Sequence, residues 1–265
     1  MDIASDTGCA RLALACLDLT ELGDACTEAD VAALCRKAQG EVGGVAGVLP
    51  RTAAVCVWPR FVAQARAALP PGIAVAAVVN FPGGDEALEA VTAQVDTIRS
   101  GGGQEVDVVL PWRALQAGDD AACTRLLNGV RQASRGLVLK LILESGALDA
   151  AQIARASALG LAAGVDFLKT STGKIPQGAS LEAVQIMLAA MAADPRRDSL
   201  GLKPSGGIRT VADTRPYFQA VRDTLGDAAL VPARFRIGAS GLWNDIARVL
   251  GATAEAPAPG ANPHY

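Results

Sequence analysis

The sequence contains one histidine, His264, among 265 residues. A single histidine leaves almost no room for a Ser-His-Asp triad, a zinc site with several histidines or a facial iron triad. The chain also lacks a basic excess, because its formal net charge is −3 and its pI is about 5.3, which argues against a nucleic-acid-binding face. No uncharged apolar run reaches the roughly 18 residues of a spanning helix, and the amino-terminal residues lack a signal-peptide pattern. We therefore expect no nucleic-acid or membrane partner.

The cysteines form no Cys-x-x-Cys pair and have no zinc-finger spacing, so neither a redox motif nor a structural metal site is indicated. Apolar residues make up 51% of the chain, which is enough for a large core. In such a chain we expect the cysteines to be small buried side chains in a reducing cytosol. The sequence thus predicts a cytoplasmic protein without metal or cofactor. The six cysteines are Cys9, Cys16, Cys26, Cys35, Cys56 and Cys123.

Lysine is the other scarce residue type. The 24 basic residues comprise 19 arginines and five lysines, so arginine is the usual cation of this chain. An amine can lose its proton when its surroundings lower its pKa, whereas a guanidinium stays charged. The positions of the lysines therefore indicate where deprotonation is needed. They are Lys37, Lys140, Lys169, Lys174 and Lys203.

Short apolar runs of strand length alternate with helical patterns along the chain. Helices are predicted to begin near Thr27 and Asp85, and others to span 119–133, 149–163, 180–193 and 211–224. Alternation of strand and helix indicates parallel pairing, and eight such units in roughly 250 residues predict an α/β protein with one (β/α)₈ TIM-barrel domain. The predicted strands are 15–19, 53–58, 73–79, 105–110, 137–143, 165–169, 199–203 and 234–238.

An open doubly wound sheet is the competing architecture. A dinucleotide-binding sheet of that kind usually carries a Gly-x-Gly-x-x-Gly pattern after its first strand. Here the glycines at 101–103 precede a predicted strand instead. We therefore predict a barrel domain over residues 1–250 with a short amino-terminal extension, and a flexible tail rich in alanine, proline and glycine over 251–265.

Four of the five lysines lie in or just after predicted strands. Lys169 and Lys203 close two neighbouring strands, and catalytic residues of such barrels come from the carboxyl ends of strands. Two close ammonium groups repel, so each is expected to lower the pKa of the other from a reference of about 10.4. A lysine with a pKa near 7 or 8 is a nucleophile that forms Schiff bases with carbonyl compounds. The residues alone do not decide which of the two lysines is the nucleophile.

Acidic residues inside the predicted strands fit this picture. Asp107 lies among valines, where a charge is costly unless it finds a partner. Lys140 and Glu144 share strand parity, so both are expected to face the barrel interior. Asp18 is a further acid in an apolar strand, with helix capping as an alternative role. The alternative for the lysines is that they are structural cations paired with these acids.

Small residues follow the last two predicted strands. Residues 204–207 and 238–241 bring glycine to the loops that bind phosphate in many barrels, where backbone N–H groups can approach a ligand closely. Thr172 and Lys174 could add a hydroxyl and a charge. The residues thus predict a metal-free Schiff-base enzyme that acts on a small phosphorylated carbonyl compound.

Residues 166–174, with the sequence DFLKTSTGK, resemble the signature of the deoxyribose-phosphate aldolases, which are class I aldolases on a (β/α)₈ barrel. The resemblance covers about residues 12–250 and implies reversible cleavage of 2-deoxy-D-ribose 5-phosphate to acetaldehyde and D-glyceraldehyde 3-phosphate. Another class I aldolase, such as one with a keto donor, and a non-catalytic sugar-phosphate-binding barrel are the alternatives. Further matching segments are Leu17–Thr20, Ala53–Arg60, Asn80–Pro82, Glu105–Val109, Gly201–Gly207 and Arg236–Ser240.

The resemblance also implies roles for individual residues. Lys169 would form the Schiff base, Lys203 would keep it partly unprotonated, and Asp107 would move protons through a water molecule. The carboxyl-terminal Tyr265 is a candidate proton donor, with an inert terminus as the alternative. The implied phosphate-binding residues are Thr172, Gly173, Lys174, Gly206, Gly207, Gly238, Ser240 and Gly241, and Asp18, Thr20, Cys56 and Lys140 are further pocket candidates.

Two features depart from the pattern of the family. Gly241 stands where relatives often have a second serine, so we expect the loss of one hydroxyl contact to phosphate, although a backbone N–H can remain there. The segment 43–51 is longer than the usual connection to the second strand. The predicted partners are the phosphorylated aldehyde substrate, acetaldehyde and a second copy of the chain in a homodimer.

Overall fold

A computed structural model describes residues 2–252, and these residues contain eight strands in one sheet. Every pair of neighbouring strands is parallel, and the order is β7-β6-β5-β4-β3-β2-β1-β8. All eight predicted strands are present within a few residues of their expected bounds. They are β1 Leu17–Thr20, β2 Ala54–Val57, β3 Ala74–Val79, β4 Glu105–Val109, β5 Val138–Ile142, β6 Phe167–Lys169, β7 Gly201–Lys203 and β8 Ile237–Ala239.

The two ends of the sheet, β7 and β8, meet and close it into a barrel. Leu202 in β7 forms a parallel bridge with Phe235, and Ser205, just after β7, forms one with Gly238 in β8. The N–H of Gly238 donates to the carbonyl of Pro204 at 2.9 Å. Since closure leaves no free sheet edge, the (β/α)₈ TIM-barrel prediction is confirmed.

Ten helices surround the barrel in the described residues. Several begin where the sequence provides a capping box, as at Thr27, whose hydroxyl accepts from the N–H of Asp30 while its own N–H donates to the Asp30 carboxylate. The helices are α1 Asp6–Ala15, α2 Glu28–Ala38, α3 Val62–Ala68, α4 Leu88–Ser100, α5 Trp112–Gln116, α6 Asp120–Ala133, α7 Ala150–Ala162, α8 Leu181–Ala193, α9 Val211–Leu225 and α10 Leu242–Val249.

Helix α4 begins at Leu88, three residues later than the predicted start at Asp85. Asn80 holds the preceding residues in a turn, because its carbonyl accepts from the N–H of Gly84 and its side-chain oxygen accepts from the N–H of Glu86, each at 2.9 Å. These contacts occupy the residues that would otherwise form the first helical turn. The remote partner Asn80 could not be identified from the local pattern.

Alternation along the strands separates an outer core from a charged interior. On β4, Val106 and Val108 pack with the helices, whereas Asp107 and Val109 point the other way. Val109 belongs to a small inner apolar cluster that also contains Cys56 and Ile142. Since alternate residues of a strand face opposite sides, the same strands supply both the outer core and the interior.

All six cysteines are unpaired, and five of them are buried. None of the described helices is long and apolar enough to cross a membrane. The predicted tail and Tyr265 lie outside the described residues, apart from residues 251 and 252, so their roles stay predictions.

Candidate active site

Two lysines from neighbouring strands meet at one carboxylate inside the barrel. Lys169 on β6 and Lys203 on β7 are register partners. Their Nζ atoms donate to the same oxygen of Asp107, Oδ2, at 2.9 and 2.7 Å. All three side chains are buried. The structure therefore brings together the three residues for which the sequence predicts catalytic chemistry.

Lys140 lies next to this group and contacts three carboxylates. Its Nζ donates to Asp107 Oδ1 at 3.0 Å, to Asp18 Oδ2 at 3.1 Å and to Glu105. Asp18 also pairs with Lys203 Nζ at 2.6 Å, so it contributes to the lysine cluster instead of capping a helix. The predicted pocket candidates Asp18 and Lys140 are thus buried parts of one ion network.

Arg236 completes the network from the other side. Its guanidinium donates to Asp18 Oδ1 at 2.6 Å and to Glu105 Oε1 at 2.8 Å. The sequence analysis did not single out Glu105 or Arg236 as site residues. The alternation of side chains along a strand could have identified Glu105, because it lies two positions before Asp107 on β4 and therefore faces the same side. We call the seven side chains the ion network: Asp18, Glu105, Asp107, Lys140, Lys169, Lys203 and Arg236.

The carboxylate of Asp107 is held in its ionised form. Burial by itself would raise its pKa, but the charges of Lys140, Lys169 and Lys203 outweigh burial and keep the pKa of Asp107 well below its ordinary value. An ionised Asp107 accepts hydrogen bonds from both neighbouring lysines. It therefore links Lys169 to Lys203 as a shared acceptor.

The two central lysines differ in proton affinity. Burial, reinforced by the charge of Lys203, lowers the pKa of Lys169 despite the opposing effect of Asp107. Burial also acts on Lys203, but Asp107 and Asp18 together outweigh it and raise the pKa of Lys203. The net pKa shift of Lys203 is therefore opposite to the one that repulsion between the two lysines predicts, because Lys203 has a second carboxylate partner. Lys169 is the amine that more readily becomes a nucleophile.

A pocket beside Lys169 has an empty volume of about 410 Å³. Within the described chain, Lys169 is the one member of the ion network that lines it; Asp107 and Lys203 lie beneath. The lining residues are Thr20, Leu22, Lys169, Thr172, Gly173, Ser205, Gly206, Gly207, Ile208, Gly238, Ala239 and Ser240. Most of the predicted phosphate-binding residues are thus grouped around one cavity that opens onto the amine.

Glycine geometry shapes one side of the pocket. Gly206 and Gly207 both have a φ of +84°, a conformation that other residues adopt only with strain. A Cβ atom at Gly238 would lie 2.8 Å from the Cβ of Ser205 and 3.1 Å from Cε of Lys203. Helix α10 begins directly after Ser240 and Gly241, so its positive amino-terminal end lies next to the pocket. These features suit a small anion.

Thr172 is held by a partner that the sequence did not reveal. Its hydroxyl donates to the carboxylate of Glu144, its N–H donates to Glu144 Oε1 at 3.2 Å, and its hydroxyl oxygen accepts from the N–H of Lys174 at 3.0 Å. Glu144 follows the end of β5 with a φ of 59°, which turns it toward Thr172 and not toward Lys140. Burial raises the pKa of Glu144. Glu144 and Lys140 are thus both buried, but Glu144 contacts the pocket-lining Thr172, whereas Lys140 contacts the carboxylates deeper in the barrel.

Three further predicted residues lie near the pocket without lining it. Lys174 forms an ion pair with the exposed Asp24 at 2.9 Å. Gly241 follows the lining residue Ser240. Cys56 is fully buried, with its Sγ 4.0 Å from Asp107 Oδ2, and burial raises the pKa of its thiol. The described residues contain no group of three or more histidine, cysteine or acidic side chains that could hold a metal.

We expect the Lys140→Met substitution to lower the free energy of unfolding by about 3–5 kcal/mol, because it leaves buried carboxylates without a central cation. The carboxylates around Lys140 raise its pKa well above the ordinary value despite burial. Its stabilising contribution is therefore present below the unfolded-state pKa of about 10.4 and is lost only as pH rises beyond it. Urea denaturation at pH 7 and pH 9 should show the same loss.

The matched control is Lys37→Met, which removes an exposed lysine on α2 and its contact with the Trp243 ring and is expected to change stability by less than about 1 kcal/mol. Equal stability of the two variants would contradict the view that Lys140 holds the network together.

Comparison with known proteins places the chain in a family. The model of the DeoC/LacD family aldolases matches residues 12–244. A protein of Agrobacterium fabrum named deoxyribose-phosphate aldolase is 42% identical over 254 residues, which cover 94% of this chain and 95% of the relative.

Two solved structures agree with this match. A putative deoxyribose-phosphate aldolase from Coccidioides immitis is 28% identical with a TM-score of 0.76, covering 89% of this chain and 86% of the other. One from Toxoplasma gondii ME49 is 25% identical with a TM-score of 0.81, covering 92% and 93%. From its sequence match and its barrel, the chain belongs to the DeoC/LacD family of aldolases.

Proposed function

We propose that this chain catalyses the reversible aldol cleavage of 2-deoxy-D-ribose 5-phosphate to D-glyceraldehyde 3-phosphate and acetaldehyde, with Lys169 as the Schiff-base residue. The observation that carries the proposal is that Lys169, a buried amine with a lowered pKa, lines a pocket bordered by glycine-rich loops. The relative from Agrobacterium fabrum, named for this activity, supports the choice of substrate.

The chemistry begins with attack of the neutral Lys169 amine on the C1 aldehyde of the substrate. Loss of water from the resulting carbinolamine gives an iminium, which is an electron sink at C1. Removal of the proton from the C3 hydroxyl then breaks the C2–C3 bond and releases D-glyceraldehyde 3-phosphate. The enamine that remains is protonated at C2, and water hydrolyses it to acetaldehyde and free Lys169.

Asp107 and Lys203 are placed to move protons during these steps. Asp107 accepts a hydrogen bond from Lys169 and stays ionised between its neighbours, so it can take up a proton transiently when attack on the aldehyde makes the Lys169 nitrogen cationic. Lys203 donates to the same oxygen and can return a proton to it. Neither side chain lines the pocket, which fits proton transfer to the substrate through a water molecule.

The glycine-rich loops after β7 and β8 are proposed to hold the phosphate. Backbone N–H groups near Gly206 and Gly238, the Ser240 hydroxyl and the start of α10 surround one side of the pocket. Gly173 and Lys174 approach from the β6 side. The Thr172 hydroxyl already donates to Glu144, so we expect it to orient this loop unless a ligand displaces that bond.

We expect the Lys174→Met substitution to raise KM for 2-deoxyribose 5-phosphate by about 10- to 100-fold, the effect of one lost hydrogen bond to a charged group. Cleavage of unphosphorylated 2-deoxyribose should change little, because that substrate offers no anion. Initial rates with both substrates measure the difference. Asp24→Asn is the control, since it removes the partner of Lys174 but keeps its charge. An equal loss with both substrates would contradict a phosphate-binding role.

The activity itself is tested by incubating the protein with 2-deoxyribose 5-phosphate and measuring the release of D-glyceraldehyde 3-phosphate with a coupled dehydrogenase. Turnover that resists a metal chelator supports the proposed metal-free and cofactor-free reaction. In the synthetic direction, acetaldehyde should act as donor. Exclusive use of a keto donor would favour another class I aldolase, and binding without turnover would indicate a non-catalytic sugar-phosphate-binding protein.

A homodimer and a cytoplasmic location stay predictions. Light scattering of the purified protein tests the homodimer.

A further inference from the structure

The ion network extends well below the pocket. Glu105 is the first residue of β4, and Arg236 immediately precedes β8. Neither lines the substrate pocket, and Arg236 borders a separate cavity together with Arg51, Thr52 and other residues. Both are nevertheless buried, with 3% and 7% of their surface exposed. They form the end of the network that is farthest from the substrate.

Consecutive ion pairs connect this end to the reactive amine. Arg236 binds Glu105 at 2.8 Å, and Glu105 in turn accepts from Lys140. Lys140 binds Asp107 at 3.0 Å, and Asp107 binds Lys169 at 2.9 Å. Because these contacts lie in a buried, weakly polarisable interior, charges in the network influence one another more strongly than they would in water.

The charges of the ion network sum to zero only when Lys169 is neutral. The three acids are Asp18, Glu105 and Asp107, and the permanent cations facing them are Lys140, Lys203 and Arg236. With these six groups ionised the sum is zero, so a protonated Lys169 adds one uncompensated positive charge. Burying such a charge is costly, so the six other side chains of the network together favour the neutral amine of Lys169.

Two other titratable side chains, Cys56 and Glu144, lie near Lys169. Cys56 on β2 is a buried thiol whose pKa is raised by burial, so it stays neutral. Glu144, after β5, forms its hydrogen bonds with Thr172, and its charge acts on Lys169 in the opposite direction, since it stabilises the ammonium form. Lys140 does not release its proton in place of Lys169, because its three carboxylates raise its pKa.

We propose that Glu105 and Arg236 are positioning residues that set the proton affinity of Lys169 from the far end of the barrel, with opposite signs. The inference rests on the proposed Schiff-base function of Lys169. Loss of the Glu105 charge leaves the network with an excess positive charge and favours the neutral amine still more. Loss of the Arg236 charge leaves an excess negative charge and favours the ammonium form.

The test is the pH dependence of the trapping of acetaldehyde on the full chain by cyanoborohydride, since only the free amine starts imine formation. We expect Glu105→Gln to move the midpoint of the acid limb down by about one pH unit and Arg236→Met to move it up by about the same amount. The double variant restores the balance and should return the midpoint close to that of the unaltered protein.

Charge-conserving variants separate charge from packing. Glu105→Asp and Arg236→Lys disturb the same contacts but should keep the original midpoint. Shifts of the same sign in both neutralising variants, or no shift in folded variants, would overturn the proposal. If one neutralising variant does not fold, the other neutralising variant and its charge-conserving counterpart still test the proposal. Failure of the unaltered protein to trap acetaldehyde on Lys169 would refute the proposed function instead, so the two failures are distinguishable.

Discussion

Replacement of Lys169 by arginine is expected to lower the rate of 2-deoxyribose 5-phosphate cleavage by at least about 10⁴-fold. A guanidinium keeps the positive charge and a comparable length but does not deprotonate, so it cannot attack the aldehyde. The amine it replaces donates to Asp107 at 2.9 Å and lines the substrate pocket. Steady-state rates near pH 7 measure the loss, with circular dichroism to show that the variant folds.

The matched control is Lys37→Arg, the same chemical change on α2. The Lys37 Nζ lies 5.4 Å from the ring centroid of Trp243, a contact that arginine can keep. We expect unchanged turnover in this variant. A folded Lys169→Arg variant that retains more than about a hundredth of the native rate would show that another group forms the covalent intermediate.

Replacement of Lys203 by leucine is expected to lower kcat near neutral pH by about 10²- to 10³-fold and to move the acid limb of the pH–rate profile to higher pH. Lys203 opposes protonation of Lys169 through its charge, and it donates to Asp107 at 2.7 Å. Without this charge the pKa of Lys169 rises, so a higher pH is needed for the free amine. The variant also loses the proton donor beside Asp107.

A pH–rate profile of Lys203→Leu between pH 5 and pH 9 decides this prediction. Lys203→Arg keeps the charge and should therefore keep the acid limb near its original position, even if the larger guanidinium lowers kcat. An acid limb that does not move in the leucine variant would contradict the electrostatic role of Lys203.

The barrel could be predicted because its strands are covered on both faces. Parallel strands of this kind form short apolar runs, and the runs predicted all eight strands. The last strand was placed at 234–238, but β8 spans Ile237–Ala239. Residues 234–236 lie before β8 and bond with β7 instead. For example, the N–H of Leu202 donates to the carbonyl of Arg234. Such pairing depends on barrel closure, which no local pattern encodes.

Part of the site could be predicted from the positions of its residues on the strands. Lys169 and Lys203 end adjacent strands and Asp107 lies on the inner face of β4, so position and parity together suggested that they meet. The contact of Lys203 with Asp18 was not predictable, because it joins β7 to β1 across the barrel. This contact reverses the pKa shift that like-charge repulsion alone predicts. The pairing of Glu144 with Thr172 depends on the left-handed backbone conformation of Glu144, which the sequence pattern did not predict either.

The most direct test of the account is borohydride reduction of the full chain in the presence of acetaldehyde, followed by peptide mapping. We expect a single N-ethyl-lysine at residue 169, since this buried amine lines the pocket and has a lowered pKa. We also expect 2-deoxyribose 5-phosphate to compete with acetaldehyde for the label. An adduct on Lys203 instead, or no adduct on any lysine, would contradict the assignment of Lys169 as the Schiff-base residue.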